Sequence, residues 1–406
     1  MQSCSVNIRS SEADSAGMEE VPLERLSWRR WTVAIAVVFL ALVAPAARAD
    51  YVITDLGVLP GGSTSHGSAV NSSGKATGYA DLGTLAVHAF LTTAGQPQLT
   101  DLGTLGGGSS HGAAINSGGQ IVGDADLATG RMQAMITTGP GTIQGISLLS
   151  NWVNSYAKGI NDSGMIVGYA QLVGGNQHGF FGTVQGLTEL GTLGGPNSLA
   201  FGVNANGVIV GASDLNQTTT HAFTAVGLNL NDLGGLGSSN FSAGQAINNS
   251  HVVVGYGGLI GANHAFRTRA DNSLEDLSTL SGTGQSFAYA INNPGNLVGS
   301  SSASGGGTHA VLVMAGSSLM IDLNQHLTSG SGWLLNEARG INDFGQIVGT
   351  GTIDGASHAF LLTPQAIPEP SGLLLTGLGL FAVGLASKFK GYPRTTRIAN
   401  SKGQMT

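Results

Sequence analysis

Six histidines recur at near-regular intervals, His88, His178, His221, His264, His309 and His358, with Gln133 at the equivalent place between the first two. Each opens His-Ala-Phe or a close variant. Imidazoles invite metal ligation or proton transfer. A second titratable series runs beside them, an acidic residue followed by Leu at Asp55, Asp101, Glu189, Asp232, Asp276 and Asp322. The stretch after Gln133 lacks the acid and reads Ile146-Ser147-Leu148-Leu149. A zinc site draws three or four ligands together at about 2.0–2.3 Å, whereas residues that repeat by position are spread over the whole array. Each histidine is therefore expected to hydrogen-bond within or between repeats, and each acid to accept backbone N–H groups at a turn. Asp124-Ala125-Asp126 and the Asn-Asp-x-Gly turns lack the alternating oxygen ligands of a calcium loop. No Gly-x-Ser-x-Gly elbow, His-Glu-x-x-His, P-loop or Cys-x-x-Cys occurs. No catalytic residue, metal or cofactor is assigned.

These residues belong to a unit written seven times. An Ile/Val-Asn pair recurs in all seven copies, at Asn71, Asn116, Asn161, Asn204, Asn248, Asn292 and Asn342. Seven residues after each Asn stands a glycine, from Gly78 to Gly349, and three after it another, except at His251. Asn with Gly three residues on is turn chemistry, since Asn bonds its own backbone and Gly accepts positive φ. Each unit thus yields four short strands: one ending at the Asn, Ile-Val-Gly, His-Ala-Phe, and the acidic-Leu strand. Units of about 40–45 residues with four antiparallel strands are the size of a propeller blade. The phase argues for a closed ring. No acidic-Leu strand follows His358, while one, Tyr51 to Gly57, precedes the first unit and can complete the seventh blade, removing an edge that would invite aggregation. An open parallel solenoid is the competing architecture, but gives no reason to begin and end out of phase. The fold expected is an all-β, seven-bladed β-propeller of four-stranded blades closed by the N-terminal strand, flanked by an N-terminal signal helix and a C-terminal membrane helix.

Function should sit where the units differ. Four and two residues before each Asn stands Gly or Ala, which permits close approach of a neighbouring segment. Five and three before it the residues are unlike: His66/Ser68, His111/Ala113, Tyr156/Lys158, Leu199/Phe201, Ala243/Gln245, Phe287/Tyr289 and Glu337/Arg339. Alternation puts each pair on one side of its strand. Nine before the Asn, two units carry Trp152 and Trp333. Trp152, Tyr156, Lys158, Trp333, Glu337 and Arg339 are the candidate ligand-facing rim, with aromatic faces and polar groups that suit sugars. Alternatively, the two tryptophans fill space that degenerate blades leave open.

Composition supports this reading. Glycine supplies 65 of 406 residues, unfavourable for helices by roughly 1 kcal/mol each relative to Ala. The chain is 41% hydrophobic and 10% charged, with a net charge of −7 and one cysteine, Cys4, so no disulfide framework is available. Within 51–366 there are six Lys/Arg against sixteen Asp/Glu, 6 − 16 = −10. Such a body is a poor partner for nucleic acid.

The two ends read as addresses. Arg25, Arg29 and Arg30, an apolar run from Trp31 to Val43 and Ala47-Arg48-Ala49 have the parts of a secretory signal peptide, with Met18 as an alternative start. The run is short for an anchor helix. At the other end come Pro368-Glu369-Pro370, an apolar stretch 372–387, then Lys388, Lys390, Arg394, Arg397 and Lys402. This order resembles the PEP-CTERM sorting signal of Gram-negative bacteria, although the tail is longer and less Arg-dense than usual. The resemblance implies an exosortase-type processing enzyme acting at Pro368, Glu369 and Pro370, and a bacterium that makes extracellular polysaccharide. The His-Ala-Phe units resemble the HAF repeat of bacterial extracellular proteins, a family not defined by a reaction. The expected organisation is a leader over 1–49 removed by signal peptidase, a propeller over 50–366, and a sorting tail over 367–406 that transiently holds the chain in the inner membrane. The expected protein is an exported binding or structural module at the cell surface or in the extracellular matrix, with exopolysaccharide or surface proteins as partners. An extracellular propeller enzyme acting on polysaccharide is the alternative, and a matrix filler without a specific ligand a third. A pair of carboxylates at the channel mouth would favour the enzyme.

Overall fold

The structure, a computed structural model, describes residues 51–93, 98–139, 141–147, 149–259, 261–327 and 331–365. The leader, the Pro-Glu-Pro motif and the apolar and basic tail lie outside the described residues. So do the two terminal helices expected from the sequence.

The described residues form seven antiparallel sheets of four strands each. They hold no α-helix, only a single 3-10 turn at Leu323–His326, and no helix long and apolar enough to cross a membrane. Blade 1 comprises Ser65–Val70, Ala76–Asp81, Val87–Thr92 and Leu99–Asp101. Blades 2 to 6 repeat this pattern, with first strands Gly106–Ile115, Trp152–Ile160, Ser198–Val203, Ser242–Ile247 and Ser286–Ile291. Blade 7 takes Leu334–Ile341, Ile347–Ile353 and Ala356–Pro364 from the end of the chain and Tyr51–Asp55 from its beginning. Tyr51 pairs with Pro364 and Asp55 with Phe360, so the ring closes across the two ends of the propeller.

The hydrophobic core lies between blades. Phe90, Phe180, Phe223, Phe266 and Phe360, each the last residue of a His-Ala-Phe-type triplet, are fully buried, a gain of about 1.5–3 kcal/mol apiece. At the junction of blades 6 and 7, Val298 and Ala310 cluster with Leu335, Ala338 and Phe360. Close packing explains the glycine seven residues after each Asn. A β-carbon on Gly78 would lie 1.9 Å from the His66 carbonyl oxygen, and one on Gly349 2.0 Å from that of Glu337. The small residues four before each Asn meet the preceding blade. A β-carbon on Gly67 would fall 2.6 Å from a methyl of Val348.

Two sets of polar side chains stitch the blades. A serine six residues before the Asn is buried in blades 1 to 6. Its hydroxyl accepts the backbone N–H that follows the His or Gln of the preceding blade, as from Ala359 to Ser65 and from Gly179 to Ser198, at 2.8–3.0 Å in all six. Blade 7 has Asn336 there, and Asn324 of the 3-10 turn bonds the Leu335 backbone instead. The long step before Asn342 accommodates this turn.

The second set is the seven asparagines, each 3–6% exposed. Each Oδ1 accepts the backbone N–H four residues on, which builds the turn. Each Nδ2 donates to the backbone carbonyl of the next blade's asparagine, at 2.9–3.4 Å, and Asn342 donates to Asn71 to complete the circuit. The glycines three residues on take positive φ, for example 73° at Gly74, and His251 takes 65° at the same place. A β-carbon in this region costs about 1–2 kcal/mol. His251→Gly is accordingly expected to raise stability by about 1 kcal/mol, read as a higher denaturant midpoint at unchanged m-value. A lower midpoint would show that the imidazole makes compensating contacts.

Candidate functional site

The histidine series is structural. His88, His178, His221, His264, His309 and His358 each place Nδ1 at 2.5–3.1 Å from the acid on the fourth strand of the same blade, Asp101, Glu189, Asp232, Asp276, Asp322 and Asp55. Most of these acids also accept the backbone N–H two residues on, as Asp101 does from Gly103 and Asp232 from Gly234. Blade 2, which lacks the acid, has Gln133 donating to the Ile146 carbonyl instead. The pairs are local to their blades and do not converge. Among the described residues no group of three or more His, Cys, Asp or Glu is placed to hold a metal ion.

Convergence occurs on the axis. In every blade the first strand carries a β-bulge at the residue three before the Asn. A bulge inserts an unpaired residue and re-aims its side chain. All seven bulge residues, Ser68, Ala113, Lys158, Phe201, Gln245, Tyr289 and Arg339, line one cavity of about 330 Å³. His66, Gly67, Tyr79 and Glu337 complete its wall. A second axial cavity, of about 280 Å³, lies at the Asn turns and is lined by other residues, including Ile115, Ile160, Val203, Ile247, Ile291 and Ile341. A larger depression of about 490 Å³ beside blade 5 is lined by Ser, Gly, Leu, Ala, Asn and Gln and holds no titratable side chain.

Around the main cavity, the residue five before each Asn pairs across the sheet with the residue following the invariant glycine. His66 stacks on Tyr79 at 4.8 Å, and Tyr156 on Tyr169 at 5.0 Å. His111 Nδ1 lies 2.9 Å from buried Asp124. Lys158 Nζ reaches Asp124 at 3.3 Å and lies 5.5 Å from the Tyr156 ring and 5.8 Å from that of Tyr169. Arg339 donates to Glu337 at 2.7 Å and stacks on Tyr289 at 3.9 Å. Burial works against the charge of Arg339, but the Glu337 carboxylate outweighs it and raises its pKa. Burial lowers the pKa of His66 and raises those of Tyr79, Tyr169 and Tyr256.

Of the six rim candidates, Lys158, Glu337 and Arg339 line this cavity, and Tyr156 stands under the Lys158 ammonium. The two tryptophans are elsewhere. Trp152 is 4% exposed, packs on Phe180 at 5.2 Å and donates its indole N–H to Glu189. Trp333 packs edge-on against His358 and Phe360. Each indole rests on the phenylalanine of its own blade, beside the His–acid pair. For Glu189, burial alone would raise the pKa, but hydrogen bonds from His178, Trp152 and Asn151 outweigh it and hold the carboxyl below its usual range. The second-strand residue in the cavity wall, Tyr79, is marked in the sequence by its place directly after the invariant glycine.

No family model and no curated protein matches this chain. Solved structures show the fold. YCF48 bound to D1 peptide superposes with a TM-score of 0.50 at 10% identity, covering 80% of this chain and 98% of that one. TolB from Acinetobacter baumannii gives 0.34 at 11%, covering 85% and 71%. A prolyl endopeptidase gives 0.45 at 10%, covering 84% of this chain and 56% of that one.

Proposed function

We propose that the protein is an exported binding module of the cell surface or extracellular matrix that takes an extracellular ligand, exopolysaccharide or a surface protein, in the axial cavity. The observation that carries this reading is the seven bulge residues. A framework repeated almost unchanged seven times aims seven different side chains at one space, as recognition of an asymmetric ligand requires. Signal peptide and PEP-CTERM-like tail supply the route: export, transient retention in the inner membrane, and release by an exosortase-type enzyme at Pro368, Glu369 and Pro370. An enzyme acting on polysaccharide would need carboxylates free to act. Glu337 lines the cavity and is engaged by Arg339, and Asp124 is held by His111 and Lys158.

The test is retention of the intact protein on the producing organism's exopolysaccharide and on its isolated surface proteins. A Phe201→Ala/Tyr289→Ala variant is expected to lose at least about tenfold in retention, roughly 1.4 kcal/mol, at an unchanged unfolding midpoint. A Trp152→Ala/Trp333→Ala variant is expected to lose stability while any folded fraction still binds. Equal retention by the folded cavity variant and the unaltered protein would overturn the reading.

A further inference from the structure

We propose that the axial cavity recognises the carboxylate of an acidic sugar residue, entered from one end of the ring. The inference rests on the reading of the cavity as the binding site and adds the chemistry of the ligand.

It starts from the order of the bulge residues around the axis. Arg339 of blade 7 and Lys158 of blade 3 flank Ser68 of blade 1 and Ala113 of blade 2. The two cations thus straddle the two smallest side chains, leaving a notch between them. His66 stacked on Tyr79 stands on the blade 1 side of that notch.

The inventory of hydrogen-bonding groups is unbalanced. A guanidinium carries five N–H donors and an ammonium three. Among the described residues, Arg339 uses one N–H on Glu337 and Lys158 one on Asp124. The hydroxyls of Ser68 and Tyr79 and the amide of Gln245 make no hydrogen bond there, and Glu337 has one carboxylate oxygen not so engaged. Spare donors therefore outnumber spare acceptors, and the complementary ligand is acceptor-rich, as a carboxylate is. The planar guanidinium fork can serve Glu337 and a ligand carboxylate together.

The rest of the wall decides what carries the carboxylate. Tyr79, Phe201 and Tyr289 put aromatic rings in the wall, which suit the apolar C–H surface of a pyranose. Gln245, Ser68 and Tyr79 offer polar groups to its hydroxyls. About 330 Å³ is near the lower end for ligand pockets. A space of that size suits a single terminal sugar unit entering end-on.

The test is calorimetric titration of the intact protein with trigalacturonate, the neutral galactose trisaccharide and triglutamate. Trigalacturonate is expected to bind at least tenfold tighter than either of the others, more weakly as salt rises. Arg339→Gln should weaken it about tenfold, and Ala113→Glu, which sets a carboxylate in the notch without removing any contact, should abolish binding at an unchanged unfolding midpoint. Equal binding of the neutral sugar, equal binding of triglutamate, indifference to Ala113→Glu in a folded variant, or no binding of trigalacturonate would each overturn the inference. If trigalacturonate fails while Phe201→Ala/Tyr289→Ala still reduces retention on exopolysaccharide, only the acidic-sugar inference falls. If the cavity variant leaves retention intact, the binding site itself lies elsewhere.

Discussion

Deleting Tyr51–Asp55 is expected to abolish the monomeric folded protein. This strand supplies the fourth strand of blade 7 through five register partners, from Pro364 to Phe360. At roughly 1 kcal/mol net per ladder hydrogen bond, with about 1.5–3 kcal/mol for a buried aromatic, the loss approaches the roughly 5–15 kcal/mol that holds a whole domain together. The deletion also severs Asp55 from His358 and bares the edge of Ala356–Pro364, which then offers unpaired backbone groups to another chain. Size-exclusion chromatography should show oligomers or aggregate, and a synthetic peptide spanning residues 51–57 should restore the monomer in part. A deletion variant that remains monomeric, with its unfolding midpoint intact, would show that the ring does not depend on this closure.

The second large effect is expected at the asparagine circuit. Asn204 accepts backbone N–H groups from Asn206 and Val208 and donates to the Asn248 carbonyl while 4% exposed. Asn204→Ala removes all three bonds, at a net of about 1 kcal/mol each; a loss of about 3 kcal/mol is expected. Asn204→Asp separates the two roles. The carboxylate keeps the turn, but at neutral pH it faces the Asn248 carbonyl with no proton to give. It should be destabilised at pH 7 and recover part of the loss as pH falls toward the carboxyl range, where protonation restores a donor. Denaturant unfolding at the two pH values reads both. An Asn204→Asp variant as stable as the parent at pH 7 would mean that the blade-to-blade bond contributes nothing.

Much of the ring was legible because its geometry repeats and the chain must repeat with it. Asn, Gly and His-Ala-Phe columns mark a turn, a tight crossing and a core side chain, each a local demand on residue type. The strand at Tyr51–Asp55 was legible from its phase alone. Partners in another blade were not. Asn71 reads as a turn former by its spacing to Gly74, but its second bond goes to Asn116, which no local pattern announces. The serine of the Ser65 column recurs as plainly as the histidine, yet only the fold shows that its partner is a backbone N–H of the preceding blade.

The site was half legible for a related reason. Variation at the positions of Ser68 and Arg339 marked one side of each first strand as the place where the units differ. The bulge that aims them is a property of backbone pairing and leaves no residue-type signature. Trp152 and Trp333 drew attention by being large and rare. They lie six residues upstream of the bulge residues Lys158 and Arg339, and rest against phenylalanine and the His–acid pair of their own blades. Residue type suggested a ligand surface where strand position dictated packing.

The pairing of Tyr51 with Pro364 has a consequence for how such a ring can be used. A β-carbon on Gly345, in the turn of Asn342, would lie 3.3 Å from the Pro364 ring, so the two described ends of the chain leave side by side at the Asn turns. The cavity of Lys158 and Arg339 lies upstream on the same first strands, toward the other end of the axis. The cavity's entrance and the two described chain ends therefore lie at opposite ends of the axis. Two rings held together at the end of the chain termini would point their entrances apart. Such a pair would crosslink two ligand chains, gaining avidity on a meshwork and little on an isolated molecule.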